Sequence, residues 1–232
     1  DISRNGNDGT LTNGPTFNSS NGGSIVFPGT NEYIEFGFPI NPSLNISGLN
    51  ITLSAWVKAT ELVNLNAGGG IIVRGSGIND GLYEMVLVQS GGKNYPYFRM
   101  LNVGLYFPEL IPIELNQYYN IVCVYDNGTL RNYVNGVQET SIDVDSTPDM
   151  PQNYVTDFNN NGSIFRIGRG AGSSSYYLDG LLSHFHFADG QSYAPTVFGS
   201  TDSTTGEWKI NASPTFTPGT EGFTILKNGN TI

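Results

Sequence analysis

Cysteine, histidine, charge and helical periodicity are all scarce in this sequence. One cysteine in 232 residues excludes an internal disulfide. Cys123 sits in the apolar run Asn120-Ile-Val-Cys-Val-Tyr125, which predicts a buried, inert thiol. Charged residues make up 13% of the chain, about half the usual share. Ten Lys plus Arg stand against twenty Asp plus Glu, for a net charge of −10. A nucleic acid would meet a field of its own sign, so that partner class is excluded. No apolar run approaches the roughly 18 residues of a membrane helix, so membrane insertion by helices is not expected. No ten-residue stretch keeps an apolar period of 3.6 without a Gly, a Pro or a β-branched run. A secretory signal is also missing and the chain opens on Asp1, which suggests a processed or excised piece.

Aromatics, glycine and alternation are abundant. Thirteen Tyr, thirteen Phe and thirty Gly accompany short β-rich runs spaced about 8–15 residues apart by turn residues. Candidate strands are Gly23–Phe27, Glu32–Phe36, Asn50–Lys58, Ile71–Arg74, Leu82–Val88, Tyr95–Met100, Val103–Phe107, Tyr118–Tyr125, Thr129–Val134, Val137–Ile142, Ser163–Gly168 and Gly180–Phe187. In the third, Ile51, Leu53, Ala55 and Val57 alternate with Thr52, Ser54, Trp56 and Lys58. Asn135-Gly136 between two β runs is the strongest short-range hairpin signal. So many short strands predict an all-β, antiparallel jelly-roll β-sandwich rather than a seven-strand immunoglobulin fold. The expected division is a sandwich over residues 1–190 and an irregular extension over 191–232 that packs on it or leads away. All-β sandwiches of about 200–250 residues commonly form single domains.

Catalytic signatures are weak. Glycoside hydrolysis needs two carboxylates flanking the bond, and the Glu-x-Asp-x-x-Glu of sandwich glucanases is absent. Asp143-Val-Asp145 is the nearest approach and reads as a solvated acidic loop. A Ser-His-acid triad lacks its Gly-x-Ser-x-Gly. His184 and His186, two apart on one strand, could share a metal or simply lie opposite core-directed Phe185 and Phe187. Calcium needs 6–8 oxygen ligands. Asp143, Asp145, Asp149 and Asp157 are the candidates, with Glu32 and Asp179 near turns, and no EF-hand spacing is present. Gly68-Gly-Gly70 and Gly75-Ser-Gly77 open no helix, so no phosphate site is read there. Sequons at Asn18, Asn45, Asn50, Asn127, Asn161 and Asn211 barely exceed chance in so Asn-rich a chain. Surface tyrosines remain. Tyr95, Tyr97, Tyr176 and Tyr177, with Tyr106, are candidates to stack on sugar faces while nearby amides bond the hydroxyls. Core packing and cross-strand pairing are the competing explanation for such rings.

The order of motifs carries a resemblance. Asn5–Phe17, Gly22-Gly-Ser-Ile-Val-Phe-Pro-Gly-Thr-Asn-Glu-Tyr-Ile34, Ile51-Thr-Leu-Ser-Ala-Trp-Val-Lys58, Leu130-Arg-Asn-Tyr-Val-Asn-Gly-Val137, Phe165-Arg-Ile-Gly168 and Tyr177-Leu-Asp-Gly180 together resemble laminin-G-like, concanavalin A-like lectin/glucanase domains. Pro28 stands where that family has Asp, which counts against calcium. Asp179–Gln191, Pro195–Gly199, Asp202–Lys209 and Gly219–Phe223 are similar to a segment of virion proteins of tailed phages. The resemblance implies a non-enzymatic virion surface, tail or fibre protein, exposed on the particle and contacting host cell-surface polysaccharide. The alternative is a purely structural decoration or adaptor protein whose partners are other virion proteins. Homo-oligomerisation is compatible with either. A glycan-cleaving enzyme is the third class, and the hydrolase branch's carboxylate positions are not matched.

Overall fold

The computed structural model describes residues 9–20, 23–36, 50–63, 69–74, 83–100, 111–127, 129–143, 164–170, 176–220 and 222–225. Its strands are β1 (Gly9–Thr12), β2 (Thr16–Asn18), β3 (Ser24–Pro28), β4 (Tyr33–Phe36), β5 (Asn50–Ala59), β6 (Gly69–Arg74), β7 (Tyr83–Ser90), β8 (Lys93–Met100), β9 (Tyr118–Asp126), β10 (Thr129–Val134), β11 (Val137–Asp143), β12 (Phe165–Ile167), β13 (Asp179–Asp189), β14 (Gly199–Thr201), β15 (Trp208–Ile210) and β16 (Phe223–Ile225). A six-stranded sheet runs β1-β4-β12-β6-β7-β8. An eight-stranded sheet runs β11-β10-β9-β5-β13-β3-β2, with β16 also on β13. The paired strands are antiparallel. This is the jelly-roll sandwich that the alternation predicts. The expected strand at Val103–Phe107 lies outside the described residues.

Alternation sorts the side chains. On β5, Ile51, Leu53, Ala55, Val57 and Ala59 enter the core, and β9 adds Ile121, Cys123 and Tyr125. Phe36, Tyr83, Met85, Phe98 and Phe165 meet them from the six-stranded sheet. The Cys123 thiol is buried, and burial pushes its pKa well up, with the Glu139 charge adding to the rise. Asn135 and Gly136 both take positive φ, 49° and 77°, as the two-residue turn joining β10 to β11 requires.

The C-terminal stretch is less irregular than its composition suggests. It holds a β14–β15 hairpin and the short β16. Phe223 of β16 lies within 6.0 Å of the rings of Phe36, Phe165, Phe185 and Phe187, inside the inter-sheet core. A second cluster forms on the outer face of the eight-stranded sheet. There Val122 and Val124 of β9 pack with Phe198, under Tyr133, Tyr193, Val197 and Phe216. β1 and β2, within the Asn- and Gly-rich opening, are strands the turn residues disguise.

Candidate functional site

The out-facing side of β5 begins the site. Trp56 alternates with core residues Ala55 and Val57, so its indole points away from the interior. It stands between Asn120 of β9 and Ser183 of β13 in the ladder. Tyr118 lies two residues before Asn120, on the same face of β9. The Asn135-Gly136 turn and the β14–β15 hairpin form the opposite wall. Together they enclose a groove of about 850 Å³, within the size range of small-molecule and saccharide sites. Trp56, Gln117, Tyr118, Asn135, Ser183 and Trp208 line it, with Glu207 and Lys209 paired at its rim.

Asn120 holds the two walls together. Its side-chain NH₂ donates to Ser54 Oγ at 3.1 Å and to the Ala55 carbonyl at 3.3 Å. Its Oδ1 accepts from Trp208 Nε1–H at 3.2 Å. Its backbone N–H donates to Asn135 Oδ1, while Asn135 N–H donates to the Asn120 carbonyl, both at 2.8 Å. One amide thus ties a sheet strand, a hairpin turn and the C-terminal hairpin. The Trp208 ring packs closely against two glycines. A Cβ at Gly136 would come within 2.4 Å of the ring, and one at Gly199 within 2.3 Å of Nε1. The loop between β14 and β15 is fixed by Asp202, whose Oδ1 accepts the N–H groups of Thr204 and Thr205 at 2.8 and 3.0 Å. Those bonds hold its carboxyl pKa below the usual range. Trp56 is 8% exposed, and its buried Nε1 has no hydrogen-bond partner among the described residues. Lys58 stands over the Tyr118 ring at 5.8 Å.

The four tyrosines singled out by sequence fall elsewhere and in two places. Tyr95 and Tyr97 lie on β8, opposite Val88 and Val86, on the outer face of the six-stranded sheet. Tyr95 is half-buried, and Tyr97 is 3% exposed. Tyr176 and Tyr177 precede β13. The Tyr177 ring is 6.3 Å from that of Tyr33, beside β12. Three strand places separate β12 from β8, about 14 Å at normal spacing, so the pairs do not form one platform. Trp56, Tyr118 and Trp208 were not singled out. A tryptophan on the polar side of an alternating strand was the available signal for Trp56. Nothing periodic marks Trp208.

Both histidines are buried. The β13–β5 register shifts between Ser183 and His186, and His184 takes φ 44° in this bulge. Its Nδ1 lies 2.6 Å from Ser183 Oγ, which donates to the Gly23 carbonyl. His186 meets Thr224 Oγ1 at 3.0 Å and stacks on Phe198. Of the calcium candidates, Asp145, Asp149 and Asp157 lie outside the described residues, as does the Asp143 side chain. Glu32 accepts the backbone N–H groups of Thr30 and Asn31, and Asp179 accepts the Thr60 hydroxyl. Among the described residues no group of three His, Cys, Asp or Glu side chains is placed to hold a metal. None of their helices is long and apolar enough to cross a membrane.

Comparison with known proteins agrees with this architecture. The family model described as the concanavalin A-like lectin/glucanases superfamily matches residues 28–197. The chain belongs to that superfamily. The matched stretch ends before β14, so the groove wall bearing Trp208 lies beyond it. Among curated proteins no relative matches the sequence. Among solved structures, domain 4 of the extracellular arabinanase AbnA from Geobacillus stearothermophilus, in complex with arabinotriose, is similar at a TM-score of 0.58 and 19% identity, over 80% of this chain and 84% of that one. The heptameric SAP-like pentraxin of Limulus polyphemus is similar at 0.56 and 15%, over 90% and 97%. The ligand-binding domain of botulinum neurotoxin serotype D, in complex with N-acetylneuraminic acid, is similar at 0.50 and 12%, over 82% and 45%. Identities this low establish a shared lectin-like fold and nothing finer.

Proposed function

We propose that this chain is a non-enzymatic glycan-binding module of a virion surface, tail or fibre protein, and that its glycan lies in the groove between the eight-stranded sheet and the β14–β15 hairpin. The observation that carries this reading is the convergence of Trp56, Tyr118 and Trp208 with the amides of Gln117 and Asn135 in one groove. Aromatic faces take up the apolar side of a sugar ring, and amides bond its hydroxyls. Glycoside cleavage needs two carboxylates flanking the bond. Among the described lining residues Glu207 is the one acid, and Lys209 neutralises it. The virion assignment is supported by the resemblance of residues 179–191, 195–199 and 202–209 to tailed-phage segments, and it implies a location on the particle surface.

The test is binding of the purified chain to an array of bacterial and algal surface glycans, with and without calcium. A specific hit is expected to weaken at least tenfold in Tyr118→Ala and in Trp208→Ala, in line with aromatic anchors elsewhere. Val137, 59% exposed, and Ile210, 37% exposed, give the groove mouth an apolar margin that also suits a protein partner. A folded chain that binds no glycan would therefore shift the reading to a structural protein contacting other virion proteins.

A further inference from the structure

On the opposite face of the molecule, two tyrosines and an arginine meet in a way the groove does not explain. β4 buries Ile34 and Phe36, so Tyr33 and Glu35 face outward. β12 buries Phe165 and Ile167, so Arg166 does the same. Just after β12 the chain turns at Gly168 with φ +85°, and a Cβ there would strike the Phe27 ring at 2.4 Å. Only glycine tolerates that combination of positive φ and contact. The turn brings Arg169 directly across an antiparallel bridge from Tyr177. Gly170 N–H donates to the Tyr176 carbonyl at 2.7 Å and Leu178 N–H to the Gly168 carbonyl at 2.9 Å, which locks the pair in place.

The Arg169 guanidinium sits 5.0 Å from the Tyr33 ring centre and 5.4 Å from that of Tyr177. The rings are 6.3 Å apart and tilted by 34°. These distances place the guanidinium over both rings and off the line that joins their centres. The neighbouring cation is spoken for, because Arg166 Nε donates to Glu35 Oε2 at 2.8 Å. Arg169 has no carboxylate partner among the described residues, and its buried Nε bonds to no acceptor among them. Acids outnumber bases twenty to ten in this chain. An arginine with no carboxylate partner among the described residues, oriented by two aromatic rings, is a donor fork held ready for an external anion.

We infer that Arg169, Tyr33 and Tyr177 form a second binding site, selective for a sugar ring that carries a carboxylate or a sulfate. The fork bonds the two oxygens of such a group side by side, and the parts of the two rings that the guanidinium leaves uncovered meet the apolar side of the sugar. A neutral sugar would use the rings alone. This inference does not depend on the groove, because the two sites lie on faces that point away from each other.

The experiment titrates the full chain with alginate oligomers, carrageenan oligomers and neutral laminarin oligomers of equal length, at about 0.05 and 0.5 M salt. Alginate tests the carboxylate source, carrageenan the sulfate source. Wild-type protein is expected to bind at least one acidic series about tenfold tighter than laminarin, and to lose most of that preference at high salt, where charges are screened within a few ångströms. Arg169→Gln is expected to abolish the preference, and Tyr177→Ala to weaken acidic binding severalfold. Trp208→Ala, on the other face, is expected to leave the preference intact even if groove binding is lost. Equal affinity for acidic and neutral oligomers, or an unchanged preference in Arg169→Gln, would overturn the inference. If Arg169→Gln does not fold, Arg169→Lys decides: it keeps the charge without the fork, and wild-type affinity in that variant would overturn the bidentate assignment.

Discussion

The space between the two sheets and the thin layer outside the eight-stranded sheet both exclude water, but they close by different means. The interior is closed by alternation: β5, β7 and β9 bring apolar side chains to one slab at every second position, β13 does so on either side of its bulge, and rings interlock edge to face within it. The outer layer has few apolar residues of its own and is fastened by polar clasps. Thr52 Oγ1–H donates to the Gln191 carbonyl and accepts Tyr193 N–H. Tyr193 Oη accepts Thr217 N–H at 2.9 Å. Asn211 Nδ2–H donates to the Val197 carbonyl, and Asn120 anchors Trp208. Burial scales with area and is indifferent to direction, whereas each clasp needs one partner at one angle. The interior therefore supplies most of the stability, and the layer supplies the precise placement of the groove wall.

Phe223 breaks the comparison most sharply, because it belongs to the C-terminal stretch by sequence and to the interior by position. Phe223→Ala would leave a hole among four other phenylalanine rings. The expected loss is about 4 kcal/mol, seen as a lowered urea midpoint shared by every probe of the fold. A loss confined to C-terminal probes would mean that the ring is a surface clasp after all.

Phe198→Ala is the matching change in the layer. Phe198 is buried against Val122, Val124, His186 and Phe216, but the cluster is thin and can settle. About 3 kcal/mol, the low end for such a truncation, is expected. Hydrogen exchange should quicken over residues 193–220 while the amides of β5 and β9 keep their protection. Uniform loss of protection would show that layer and interior unfold as one unit.

The same contrast explains what could be read beforehand. Ile51, Leu53, Ala55 and Val57 against Thr52, Ser54, Trp56 and Lys58 is a period of two, and a period survives without knowledge of the partners. Asn135-Gly136 announces its turn because few residues accept positive φ twice in succession. The groove is legible only in part, since Trp56 stands in plain view on the polar side of β5. Its wall is not, because Trp208 is placed by Gly136, Gly199 and Asn120, none of which marks it locally. Tyr177 was a candidate on its own merits, yet its partners Tyr33 and Arg169 reach it through register and a glycine turn. Tyr97 shows the reverse: same-face spacing with Tyr95 says nothing about what covers a ring.

Polar satisfaction sharpens the comparison by a smaller amount. The layer's clasps are bonded, whereas one edge of the interior carries a carboxyl that is not fully so. Glu139 is the extra residue where the β10–β11 register shifts between Asn132 and Tyr133. The bulge turns it inward, where Oε1 accepts Ile111 N–H at 2.9 Å and the buried Oε2 has no partner among the described residues. Burial pushes its pKa up from 4.5 to about 7, against the pull of the Ile111 bond. Between those values the folded protein holds a proton that the unfolded chain has released. The folded state thus binds more protons, and stability must fall as pH rises from about 4.5 to 7. Glu139→Gln keeps the acceptor for Ile111 and removes the charge. Its urea midpoint is expected to match wild type at pH 4 and to exceed it at pH 8, flattening the profile in between. A variant no more stable than wild type at pH 8 would mean that the ionised carboxylate finds solvent at the sheet edge, and that this end of the interior is as open as the layer outside it.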